Sequence, residues 1–195
     1  MPCLAIHLAV AKKYLEKHNN ENYDDFILGT IAPDINLDNI NDYIKGVSTD
    51  KVSHHFGIEY HDGNLIQYMK NKVNLNSFFE LNDINTSFLR AYFLHLLCDY
   101  FFLDKCAKKD VNNMPFNDAV KIGTNDYDLI TPILIKKYDL IIPSQIEHIL
   151  SRKGEGEIKL LDLELVDNFI NEMSNMDLYE IRKKYTDYSS KTREI

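Results

Sequence analysis

One stretch, Thr86 to Lys108, constrains this chain more than any other: an apolar run with a histidine and an aspartate at its centre. Phe88, Ala91, Tyr92, Leu96 and Leu103 recur on helical spacing, and Asn85 or Thr86 offers the cap. His95 and Asp99 are four residues apart, so they share one helix face, about 5–6 Å apart at Cβ. Their stripe is that of Phe88, Ala91, Tyr92 and Phe102, which must face a core. An ionised carboxylate buried there is strongly unfavourable unless it is paired or bound to a cation. A self-satisfied His–Asp pair and a metal ligand pair are at this point equally good readings.

The rest of the chain reads as helix too. Only 7 Gly and 5 Pro in 195 residues argue against a loop-rich sandwich, and strand alternation is scarce. With 45% hydrophobic residues and no Pro- or Ser-rich linker, the expectation is a single-domain, all-α, multi-helix bundle over 1–195. Its metal-site half would cover about 2–130, and C-terminal helices about 131–195. A first helix is predicted from about Pro2 to His18. Asn20 to Asp25 reads as turn-like, and Phe26-Ile27-Leu28-Gly29 as a short helical or extended piece. Ile35 to Ser53 reads as a long loop. A helix is predicted from His61 or Asp62 to Val73, and others near 116–138, 143–152, 160–174 and 176–188. Pro143-Ser144 and Asn175-Met176-Asp177 serve as start signals, and Gly154-Glu155-Gly156 as a stop.

Charge and cysteine usage exclude several classes. The net charge of −8, with no clustered Lys and Arg, opposes general affinity for a nucleic-acid backbone. Cys3, Cys98 and Cys106 have odd parity and no Cys-x-x-Cys spacing, which fits a reducing compartment rather than a disulfide framework. The start of the chain lacks a basic n-region, and no apolar run approaches the roughly 20 residues needed to cross a bilayer. A cytoplasmic location is the expectation.

Further candidate ligands lie along the chain. His7 is the one polar side chain in an apolar helix opening; taken alone it would be a core histidine bonded to a carbonyl. Asp34 follows Ala32-Pro33, where Pro stiffens the approach to the carboxylate, although a turn or cap role is the ordinary one for Pro-Asp. His54 and His55 are adjacent, so in regular backbone only one can point at a given site. Three imidazoles and two carboxylates form a set suited to Zn²⁺, with Fe or Mn as alternatives. Asp104, Asp126, Asp128 and His61 are further candidates, each with surface charge or capping as the commoner role. Twelve Tyr and ten Phe could line a cleft for an apolar ligand, but such residues more often build the core.

In their order along the chain, Met-Pro-x4-His7, Gly29-x3-Pro33-Asp34, Ser53-His54-His55-Phe56 and His95-x3-Asp99-Tyr100 resemble the zinc-dependent phospholipase C family, whose superfamily includes zinc-dependent single-strand nucleases. The resemblance covers roughly residues 2–105 and implies an all-α bundle of that type. It also implies His7 on one zinc, Asp34, His55 and His95 on a second, and Asp99 bridging the two. The substrate class implied is a phosphoester or phosphodiester, such as a small molecule or a lipid headgroup. The chain departs from the secreted members in having only His148 after Asp99, so their third zinc cluster has no counterpart, and it reads as a reduced relative.

The chemistry implied is hydrolysis by a hydroxide shared between two ions, since bound zinc lowers the pKa of water from 15.7 to roughly 7. Asp34 would be the residue that orients the nucleophile or takes its proton. An alternative is a His-Asp (HD-type) metal-dependent phosphohydrolase using His55 or His18, His61-Asp62 and Asp99 or Asp126. A second alternative is a non-catalytic helical protein that keeps a metal for structure.

Overall fold

A computed structural model describes residues 3–34, 73, 75–108 and 114–191. The expected loop over 35–53 and helix over 61–73 lie outside these residues, Val73 excepted, as do His54, His55 and His61.

The fold is all-α: among the described residues there are helices and one isolated β-bridge, Ala107 to Leu161. Helix α1 (Leu4–Leu15) buries every residue from Leu4 to Ala11, so it lies inside the bundle rather than on it. It starts later and stops earlier than its apolar pattern suggests. Cys3 is extended, with its carbonyl taking the Ile6 N–H, and the chain tightens after Leu15 as Lys17 and His18 both donate to the Tyr14 carbonyl.

Helix α2 (Tyr23–Ile31) begins inside the stretch that reads as a turn. The Asn22 side chain accepts from the Asp25 N–H, and Asp24 and Asp25 place negative charge in the first turn, where the helix dipole favours it. Pro33 has no N–H to continue the ladder, so α2 gives way to one 3-10 turn over Ala32–Asp34. Helix α3 (Leu75–Leu81) is not foreshadowed by the sequence pattern, because seven residues are too few for a period to show. It sets Phe78 against Tyr92 and Phe93.

Helix α4 (Ser87–Cys106) is the axis of the fold. Thr86 caps it by accepting from the Leu89 N–H, and residues Arg90 to Asp99 are buried without interruption. Polar Arg90 is tolerated there because Glu21 takes its Nε and Nη2 at 2.6 and 2.7 Å, while Nη1 donates to the Ile84 carbonyl. Helix α5 (Phe116–Tyr138) packs on α1 and ends where Asp139 adopts a left-handed backbone with φ 48°. The predicted helix near 143–152 is a 3-10 turn, Ser144–Ile146, running into the single turn α6 (Glu147–Leu150). Helix α7 (Leu163–Met173) is capped by Asp162 and α8 (Leu178–Lys191) by Asp177, whose carboxylate accepts from the N–H groups of Tyr179 and Glu180.

A contiguous apolar cluster runs through all of these helices, from Leu4 to Leu178. The α2–α4 pairing is the most extensive in it, and α1 meets α2, α4, α5 and α7. No helix among the described residues is long and apolar enough to cross a membrane.

Candidate metal centre

Three elements deliver four polar side chains to one buried spot. Helix α1 supplies His7, α4 supplies His95 and Asp99 one turn apart, and the 3-10 turn after α2 supplies Asp34. His7 Nε2 lies 3.4 Å from Asp99 Oδ1, and His95 Nε2 lies 3.3 Å from Asp99 Oδ2 and 3.9 Å from Asp34 Oδ1. The side chains of His7, His95 and Asp99 are fully enclosed, whereas that of Asp34 keeps 11% of its surface accessible.

These contacts are longer than the roughly 2.7–2.9 Å of a charge-assisted hydrogen bond. Both ring nitrogens of His7 and both carboxylate oxygens of Asp99 have no hydrogen-bond partner among the described residues. Burying a carboxylate costs several kcal/mol even after relaxation, and attraction offsets that only when the remaining lone pairs are satisfied. A shared cation satisfies them. Ligand atoms of His7, His95 and Asp99 all lie within 4.8 Å of one another, so the group could hold a metal ion.

The protonation states suit that use. Burial pushes the Asp99 carboxyl up, but the two imidazoles facing it outweigh burial and hold it well below the usual carboxylate range. Burial and the neighbouring His95 push His7 down, which keeps it neutral. Metals need this combination, an ionised carboxylate and a neutral imidazole. His95 behaves differently: burial opposes its charge, yet Asp99 and Asp34 outweigh burial and draw its pKa up.

The two imidazoles are parallel rather than convergent. The His7 and His95 rings stack with centroids 3.6 Å apart and planes within 3°. An imidazole lone pair lies in the plane of its ring. A single ion would lie out of the plane of at least one ring, and each Nε2 faces its own oxygen of Asp99.

His95 is held in place by its other nitrogen. Nδ1 is 2.7 Å from the carbonyl oxygen of Thr30, and because a carbonyl only accepts, Nδ1 carries the proton and Nε2 faces the carboxylates. No side-chain pattern announces that carbonyl, since every residue has one; the signal was the Pro33 that ends α2 just beyond it.

The other candidates stand elsewhere. Asp126 is fully buried but belongs to a different contact: its carboxylate accepts the backbone N–H groups of Lys159, Leu160 and Leu161 at 2.6–3.1 Å. It anchors the segment that enters α7 and is not one of the clustered ligands. Asp104 is exposed on α4 and Asp128 half-buried on α5, and neither joins the group of clustered ligands. His18 stacks on Tyr14 with centroids 3.9 Å apart. His54, His55 and His61 fall outside the described residues. Compared with protein-family models, curated proteins and solved structures, the chain finds no match.

Proposed function

We propose that this chain is a metal-dependent hydrolase of phosphoric esters, similar in chemistry to a phospholipase C, with zinc as the favoured ion and Fe or Mn as alternatives. The observation that carries this reading is the pair of parallel imidazoles facing separate oxygens of one buried, ionised carboxylate. His7, His95, Asp99 and Asp34 would hold the ions, with His55 as a further ligand implied by the family resemblance. Divalent cations bound there supply an acidified water and polarise a phosphoryl oxygen.

The chain's own residues account for the remainder. Asp99 spans the two imidazoles and keeps them at a fixed separation. Asp34 is the partly accessible member of the group, so the substrate side would be the side of its carboxylate, where the oxygen that does not hold an ion would orient the attacking water or take its proton. An accessible side also separates a catalytic site from a structural zinc, which protein ligands close completely. The substrate class is a small or lipid-headgroup phosphoester, because a chain of net charge −8 does not attract long polyanions.

The test is hydrolysis of bis(p-nitrophenyl) phosphate and of a phosphocholine ester by zinc-loaded protein. Hydrolysis should vanish with a chelator and with His95→Ala, and should survive His61→Ala, a change that an HD-type site would not tolerate. Turnover that persists with chelator present, or in His95→Ala, would sink the reading.

A further inference from the structure

Gly29, in the last turn of α2, lies against the backbone of α4. A Cβ at this position would come 2.2 Å from the Phe88 carbonyl oxygen and 3.0 Å from the Ala91 Cβ. The obstacle is backbone rather than a movable side chain, so only glycine permits this approach. Phe88 and Ala91 stand seven and four residues before His95, on the face of α4 that carries it. The next residue, Thr30, is the one whose carbonyl accepts the His95 Nδ1 proton at 2.7 Å. Its hydroxyl donates to the Phe26 carbonyl, which pins the side chain away from the site. Helical pairing leaves the carbonyls of a last turn available, and Pro33 ends the helix just beyond. Four residues after Thr30, the 3-10 turn delivers Asp34, 3.9 Å from His95 Nε2.

We propose that Gly29 to Asp34 acts as one positioning device for the ion on the His95 side of the centre, separate from the ligands of the His7 side. Gly29 sets the distance between α2 and α4, the Thr30 carbonyl fixes His95 with Nε2 as the coordinating nitrogen, and Pro33 directs Asp34 to the same atom. The three act together because they share one short rigid segment: lifting α2 from α4 lengthens the Thr30–His95 contact and withdraws Asp34 at once. His7 is carried by a different helix, α1, and takes no part in the Thr30–His95–Asp34 contacts. The inference rests on the metal reading of the site, and it assigns Gly29 and Thr30 as positioning residues rather than ligands.

Zinc titration by calorimetry of chelator-stripped wild type, Gly29→Ala and Gly123→Ala tests it. Gly123→Ala is the control, because a Cβ there meets only a Leu160 methyl at 3.9 Å. Wild type and control should bind two ions. Gly29→Ala should keep one at wild-type affinity and bind the other about 10- to 100-fold more weakly, as for the loss of an orienting partner. Should Gly29→Ala fold and bind both ions like wild type, the proposal is overturned while the metal reading stands. Wild type that takes up no zinc ends both. If Gly29→Ala does not fold, long-range ¹H–¹⁵N spectra of zinc-loaded wild type decide the matter. His95 should show a protonated Nδ1 and a coordinated Nε2, and the reverse assignment overturns the role of Thr30.

Discussion

His7 and His95 stand 88 residues apart in sequence, on different helices, yet their rings lie parallel at 3.6 Å with Asp99 across both Nε2 atoms. Stacked imidazoles gain little from facing one another, and the enclosed carboxylate oxygens gain nothing from the apolar wall around them. The arrangement makes physical sense when positive charge completes it.

On the proposed two-ion reading, Asp99 is the residue on which both ions would depend. Elemental analysis should find that Asp99→Asn retains neither ion, while His7→Ala retains one. If Asp99→Asn holds the same metal content as wild type, Asp99 does not bridge.

Bound metal should stabilise the fold directly, since the ligands converge only when α1, α2 and α4 are packed. At a free zinc concentration about 100 times its Kd, one bound ion gains about 2.7 kcal/mol. For a chain of this size that is a rise of about 5–10 °C in Tm. Thermal unfolding with zinc and with excess chelator measures it, and superimposable curves would remove the case for a preformed centre.

The Glu21–Arg90 pair makes a second, metal-independent prediction. Burial pushes the Glu21 carboxyl up, but the bonds from Arg90 and Ser87 outweigh it and hold the pKa below its ordinary value of 4.5. A lowered carboxylate pKa stabilises the fold above pH 4.5, and that contribution disappears as pH falls through the folded value. Glu21→Gln should cost about 3–5 kcal/mol near neutral pH, because it leaves Arg90 buried without its counter-charge. Urea unfolding should show the gap between wild type and variant closing as pH drops below 4.5. A gap that is constant with pH would mean that the pair is not what holds Arg90.

Asp126 should behave as a structural residue. Asp126→Ala strands three backbone N–H groups at the entry to α7 and should cost at least about 3 kcal/mol, at 1–3 kcal/mol for each unsatisfied donor. Its folded fraction should bind zinc as wild type does. Loss of zinc from a folded Asp126→Ala protein would contradict the placement of Asp126 described above.

Where elements were long and periodic, the chain announced them. The apolar stripe of α4, the 23 residues of α5 and the Asn175-Met176-Asp177 start of α8 are local features, set by side-chain spacing and by hydrogen bonds within a few residues. Short α3 and the 3-10 start of α6 were illegible for the same reason: neither spans enough residues for a period to appear. The polar run at Asn20 to Asp25 looked like a turn because Asn and Asp favour turns and helix starts alike. Packing of α2 on α4 settled which of the two it is.

By itself the sequence determined the helical class and which side chains are too polar for the apolar stripes that carry them, since both follow from spacing along one chain. Only the tertiary structure decided what those side chains meet. Asp99 and Asp126 are both fully buried aspartates in helices, and spacing along the chain does not say what either carboxylate meets. One faces two imidazoles with its oxygens unsatisfied, while the other is saturated by the backbone of a segment 33 to 35 residues away. That difference arises from the crossing of distant segments, which local spacing does not encode.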